Sequence, residues 1–205
     1  MTHMGNGNSL PTKRKRDPKG TRERLIKAAI ELFTTVGFHA STTPLIAERA
    51  GIAEGTIYRH FDSKEHLLNE IFRAAVRLLA AQIQEAGKLR EFPDRLHAIS
   101  ATWVEIARAN PPLIRLVFLT DLGGLLDSNS EAARESILNE LEKLMVEGKA
   151  AGHVRAGSAR IWADVWLRLV ILVLERSASG DWPPDHPAPQ QVLSSAWSAI
   201  ASATR

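Results

Sequence analysis

The chain has no cysteine, which removes disulfides, thiol nucleophiles and thiolate metal sites from consideration. That usage fits a reducing compartment, and a cytoplasmic location is expected. No segment is long and apolar enough to cross a bilayer. The most apolar stretch, 161–174, carries Asp164 and Arg168 and falls short of the roughly 20 residues a span requires. Residues Met1 to Pro11 lack the apolar run of a secretory signal. No strand-like alternation is sustained anywhere. The histidines (His3, His39, His60, His66, His97, His153 and His186) are scattered without metal-ligand spacing. A Gly-x-Ser-x-Gly elbow, a phosphate loop and a His-Glu-x-x-His pair are all missing. Nothing supports an enzyme, and neither a cofactor nor a metal is expected.

What the chain does have is enough apolar content for a proper core, 44% over 205 residues. Its charge is uneven. Residues 1–64 carry 11 Lys and Arg against 6 Asp and Glu, whereas residues 65–205 carry 15 against 17. A basic front on a slightly acidic body points to a polyanionic partner for the front end.

The most informative stretch lies in that front end. Residues Thr43 to Phe61 read as two short helices joined by a glycine turn, the pattern of a helix-turn-helix whose second helix enters a DNA major groove. Thr43 is expected to N-cap the first helix and Pro44 to occupy its first position. Ile46 and Ala50 share a face, and Ala47 is small enough for a second helix to cross closely. Gly51 supplies the sharp turn, where glycine adopts positive φ without penalty. Ile57, six residues on, plugs the gap between the helices.

Flanking segments complete a small domain. Asp17 and Pro18 read as a cap and first-turn proline, and Leu25, Ala28, Ala29, Leu32, Phe33 and Val36 form an apolar stripe closed by Gly37 with Phe38 packing back. Downstream, Asp62-Ser63-Lys64-Glu65 resembles a capping box. It opens a long helix with the stripe Leu67, Leu68, Ile71, Phe72, Ala75, Leu78, Leu79 and Ile83.

On these residues the chain resembles the TetR family of bacterial transcriptional regulators. The resemblance runs from about Thr21 to Leu68. It rests on Phe33-Thr34-Thr35-Val36-Gly37-Phe38, the pair Thr42-Thr43, Ile46 to Ile52 and, most specifically, Gly55-Thr56-Ile57-Tyr58-Arg59-His60-Phe61 followed by Ser63-Lys64-Glu65. Beyond Leu68 the likeness is only that the chain is helical and of suitable length.

The fold expected is all-α with about nine helices: a flexible basic arm (1–17), a helix-turn-helix domain (18–62) and a helical ligand-binding and dimerisation domain (63–205) entered through a connecting helix (63–86). In the body, a fifth helix runs from about Pro93 to Ala109. Asn110-Pro111-Pro112 starts a short sixth. Ser128-Asn129-Ser130-Glu131 resembles a second capping box opening a seventh, which Gly148 weakens and Gly152 ends. Ser158 caps an eighth helix reaching about Ser177. A proline-rich linker, 180–189, leads to a ninth with the stripe Val192, Leu193, Ala196, Trp197 and Ile200. The eighth helix is apolar nearly all round, so both its sides need cover. This predicts a homodimer in which the eighth and ninth helices of two chains form a four-helix bundle, through Trp166, Leu169, Val170, Val173, Val192, Ala196, Trp197 and Ile200. The resemblance implies the same.

For DNA contact, Ala53, Glu54, Gly55, Thr56, Tyr58 and Arg59 should point outward, with Ile57 and Phe61 inward. Arg59 is the best base reader because its fork matches guanine O6 and N7, or it anchors on phosphate. Glu54 accepts from a cytosine amine, or faces solvent, or pairs locally. The resemblance implies phosphate contacts at Thr43, Gly55, Tyr58, His60 and Lys64, with Thr42 beside them. The basic run Lys13, Arg14, Lys15 and Arg16 is a candidate arm along the duplex. The resemblance also implies a small, largely apolar effector in the body, for which Trp103, Arg115, Leu116, Phe118, Met145, Trp162 and Trp166 are the candidate lining, although each of the aromatics reads more readily as core. The function expected is a ligand-responsive repressor on a pseudo-palindromic operator. The alternatives are an architectural DNA-binding protein without effector, or an activator.

Overall fold

The computed structural model describes residues 18–203. The proposed arm with its Lys13 to Arg16 run, and the Asp17 cap, lie outside the described residues. Among the described residues the fold is all-α. The elements are α1 (Pro18–Thr35), α2 (Thr43–Ala50), a 3-10 recognition helix (Glu54–Arg59), α3 (Lys64–Ala86), α4 (Phe92–Ala109), α5 (Pro111–Ile114) running on as a π-helical turn (Arg115–Leu119), α6 (Ser128–Ala150), α7 (Ala159–Ser179) and α8 (Ala188–Ile200). α1, α2 and the recognition helix pack together as a head. α3 leaves the head and packs on α4 and α6, α7 packs against α4, α6 and α8, and α1 also touches α5. No helix is long and apolar enough to cross a membrane among the described residues.

Most apolar stripes go where the periodicity puts them. Leu25, Ala28, Ala29, Leu32 and Phe33 of α1 are buried, and Phe38 returns onto Phe33 with ring centroids 5.3 Å apart. Two stripe members do not. Val36 lies past the last residue of α1, where the helical repeat no longer holds, and is 51% exposed. Leu78 sits at the margin of its stripe and is 44% exposed on a cleft beside α1.

Three helix starts are shifted by one residue. Thr42, not Thr43, caps α2, its hydroxyl accepting from Leu45 N, which places Thr43 and Pro44 in the first turn. A shift of one residue the other way puts Ser63, not Asp62, at the cap of α3, accepting from His66 N. The reciprocal bond of this box comes from His66 rather than Glu65: its Nδ1 accepts from Asp62 N at 3.2 Å. Asp127, not Ser128, caps α6, where its carboxylate accepts from Ser130 N at 2.8 Å. In each case another oxygen-bearing side chain adjoins the cap, so composition left the register open by one.

α6 runs on through Gly148, which is where α6 meets the start of α4. A Cβ built there would stand 2.4 Å from Phe92 Cζ and 2.7 Å from Val154 Cγ2. Phe92 cannot yield easily, because its ring stacks on His153 and abuts Trp197. Behind it the chain end is stitched down: Arg155 N donates to Ile200 O and Ser202 N to His153 O. Gly148→Ala gains about 1 kcal/mol of helix propensity, yet overpacking of this kind costs about 1–3 kcal/mol. The expected result is a lower thermal midpoint, read by circular dichroism.

Candidate nucleic-acid interface

The head presents its reading face through a short chain of causes. Gly51 ends α2 at φ +64°, and Ile52 N reaches back to Ala47 O at 3.0 Å. The chain then turns through Ala53 into the recognition helix, whose six residues bury Ile57 completely. Phe61, just beyond, is 2% exposed. With those two inward, Ala53, Glu54, Gly55, Tyr58 and Arg59 are exposed, as expected, whereas Thr56, also expected outward, is half-buried, as is His60.

Thr43 sits at the centre of this face. Its hydroxyl donates to Glu54 Oε1 at 3.0 Å and lies 3.3 Å from the Tyr58 hydroxyl. Of the three readings of Glu54, local pairing is the one observed in the free protein. The carboxylate also sits in the first turn of its helix, where negative charge is favoured. Arg59 has no ion pair among the described residues and is free to reach outward. Lys64 is engaged: its ammonium donates to Phe38 O at 2.8 Å and rests 4.2 Å from the Phe38 ring centre. An ammonium has three donors, so this anchor leaves capacity for a phosphate.

Gly55 carries the strongest hint of a partner. Its φ is not positive, and a Cβ built on it meets no atom within 4 Å. The fold therefore does not require glycine there. What the missing side chain provides is a bare backbone on the outer surface, suited to close approach by something outside the chain.

The head is coupled to the body along α3. Asn69, 4% exposed, donates to Leu125 O at 3.0 Å and accepts from Asp127 N at 2.9 Å. Arg73 bonds Asp127, Ser130 and Glu70 at 2.6–3.0 Å. Its guanidinium holds the Asp127 and Glu70 carboxyls below their usual range. Neither residue was singled out from sequence, because the partners lie more than 50 positions apart.

The aromatic set expected to line an effector site is placed differently. Trp103, Leu116, Met145 and Trp166 are buried in the core of the body, with Trp103 donating to Leu79 O at 3.2 Å and packed against Phe118 and Trp166. They fill the body rather than line an open cleft, apart from Trp166 at the floor of a groove of about 320 Å³ between α4 and α8. Trp162 is elsewhere, donating to Ala156 O under the Arg155 guanidinium. Arg115 reaches Ala178 O. Among the expected dimer residues, Trp166, Val170, Val173, Ala196 and Ile200 are buried within one chain and so are core. Leu169, Val192 and Trp197 remain half-exposed. The outward stripe of α7 is instead Ile161, Val165 and Leu172, with Leu169 beside it.

A three-helix head with an exposed recognition helix, riding on a helical body, has the helix-turn-helix architecture. Residues 25–71 match the family model described as bacterial regulatory proteins, tetR family. The chain is 25% identical over 169 residues to the HTH-type transcriptional regulator YhgD of Bacillus subtilis, covering 81% of this chain and 86% of that protein. It is 27% identical over 171 residues to the HTH-type transcriptional repressor KstR of Mycobacterium tuberculosis, covering 77% and 73%. A crystal structure of a TetR family transcription regulator from Marinobacter aquaeolei superposes with a TM-score of 0.76 at 20% identity, covering 90% of this chain and 97% of that one. Over residues 25–71 the chain matches the tetR family model, and its fold is that of TetR family regulators.

Proposed function

We propose that the protein is a ligand-responsive repressor that binds a pseudo-palindromic operator as a homodimer. Residues 18–62 act as the reading head, 63–86 as the connecting helix and the remainder as the effector and dimerisation body. The observation that carries the DNA reading is the outer face of the recognition helix. Thr43, Gly55, Tyr58 and Arg59 crowd one surface, and the glycine is one the fold does not need. Thr43 and Tyr58 hydroxyls suit phosphate oxygens, as does the half-buried His60, and Lys64 adds charge at the start of α3. Arg59 reads a base edge. A small, largely apolar effector releases the complex. The half-exposed apolar stripe of α7 supports pairing of two chains, and twofold symmetry then sets half-sites about 34–36 Å apart or at a related spacing.

Selecting genomic fragments bound by the full chain tests this reading and supplies the operator. On that operator Arg59→Ala is expected to cost about 1–3 kcal/mol and to relax specificity at one base position. Equal weakening on operator and random DNA would make Arg59 a phosphate anchor instead. Failure to enrich any sequence would end the regulator reading.

A further inference from the structure

A cleft of about 660 Å³ opens where the head meets the body. That volume falls within the range of small-molecule sites. Its apolar walls come from Ile26 and Ile30 of α1, Ile71 and Leu78 of α3 and Leu113 of α5. Leu78 is the telling member. It is a leucine on the stripe of a long helix, yet 44% exposed, because α1 stands off from it. At the rim are three cations, Arg22, Lys27 and Arg77. Arg22 lies over the Phe61 ring, and neither Lys27 nor Arg77 makes an ion pair among the described residues. Two carboxylates also face the cleft. Glu70 is committed to Arg73 at 2.6 Å, which leaves Glu23 alone against three positive charges.

We propose that this cleft is the effector site, and that its ligand is a small amphiphile with an apolar tail and one anionic group. The assignment deepens the regulator reading above and rests on it. The tail lies against Ile26 and Leu78, over buried Ile71, and covers the apolar surface that Ile26 and Leu78 leave in water. The anion sits among Arg22, Lys27 and Arg77, all exposed at the rim, so its attraction should weaken with added salt. No core residue has to move for entry, in contrast to the packed cluster around Trp103. The consequence for DNA follows from ownership of the walls. α1 belongs to the head and carries α2 on its face, whereas α5 belongs to the body. A ligand wedged between them rotates the head about the start of α3, and the two recognition helices of a dimer lose their spacing.

The probe is dodecanoate, titrated below its micelle concentration into the full chain by calorimetry, with decanol and acetate as uncharged and tailless comparators. Binding of one dodecanoate per chain is expected, with both comparators weaker by about tenfold or more. Ala74→Trp, which fills the cleft from its α3 wall, and Arg77→Glu, which reverses the rim charge, should each weaken dodecanoate by about tenfold or more. Circular dichroism verifies that both variants are folded, and Ala74 and Arg77 are exposed enough to be replaced without touching the core. Dodecanoate should also release the protein from its selected DNA. No binding to the wild-type chain at millimolar dodecanoate, equal binding in both variants, or binding without release would each overturn the assignment. These outcomes leave the regulator reading standing, since that fails only if the unliganded chain selects no DNA.

Discussion

Leu172→Arg is expected to turn a dimer into monomers at micromolar protein and to remove most of the DNA affinity. Leu172 lies on the outward side of α7, half-exposed, in a stripe with Ile161 and Val165. It is not part of the packed core of its own chain, unlike Val170 and Val173 one turn around. Arginine there can extend into solvent in the monomer, so the protomer keeps its fold. In a bundle built from α7 and α8 of two chains it brings two unpaired guanidinium groups into a mostly apolar seam, where the native cation of this face, Arg168, is paired with Asp164. Each such charge costs about 3–5 kcal/mol, so two weaken the dimer by roughly four decades or more. A monomer holds one half-site and loses the second by avidity. Sedimentation and DNA titration measure both consequences together. A wild-type chain that sediments only as monomer, or a variant that remains dimeric, would count against pairing through α7.

The head was legible in the sequence because its constraints are local. Gly51 at positive φ, Ile46, Ala47 and Ala50 on one face and Ile57 in the gap all act within a 20-residue window, and each is where periodicity and turn chemistry put it. The caps were legible in kind but not in register. Thr42-Thr43, Asp62-Ser63 and Asp127-Ser128 each offer two adjacent capping oxygens, and the observed caps are Thr42, Ser63 and Asp127.

The body was legible only as helices. Which face of α7 meets its own domain depends on contacts with α4, α6 and α8 far away in sequence, so Trp166, Val170 and Val173 were assigned to a partner while Val165 and Leu172 were passed over. The aromatic residues of the body were ambiguous for a related reason. Tryptophans attract attention as pocket lining, but a buried Trp103 with its indole bonded to Leu79 O is simply core. The cleft at the domain junction is assembled from ordinary surface residues of three elements, and no single segment announces it. The one clue was Leu78, a stripe member left uncovered. Gly148 could likewise not be read without seeing Phe92 against it.

Ile57→Ala is expected to abolish operator binding while leaving the body folded. The recognition helix is six residues of 3-10 geometry, with hydrogen bonds such as Thr56 N to Ala53 O and His60 N to Ile57 O. So short a segment has no independent stability. Its place is held by one fully buried side chain inside it, Ile57, and by Phe61 beyond its end. Truncating a buried isoleucine to alanine costs about 2–5 kcal/mol, comparable with the whole stability of a small domain. Alanine would leave Thr43, Glu54, Tyr58 and Arg59 without a fixed frame, and DNA contacts depend on that frame. Trp103, Leu141 and Leu174 of the body lie on α4, α6 and α7, whereas the recognition helix packs on α2, although the buried residues of head and body are continuous. The chain separates the two signals: its one tyrosine is Tyr58 in the head, and its five tryptophans all lie in the body. Tyrosine ring resonances should therefore broaden or shift to unfolded positions at temperatures where tryptophan emission is still native. If tryptophan emission fell at the same lowered midpoint, head and body would be one cooperative unit, and the coupling through Asn69 and Arg73 would be stronger than the independence argued here.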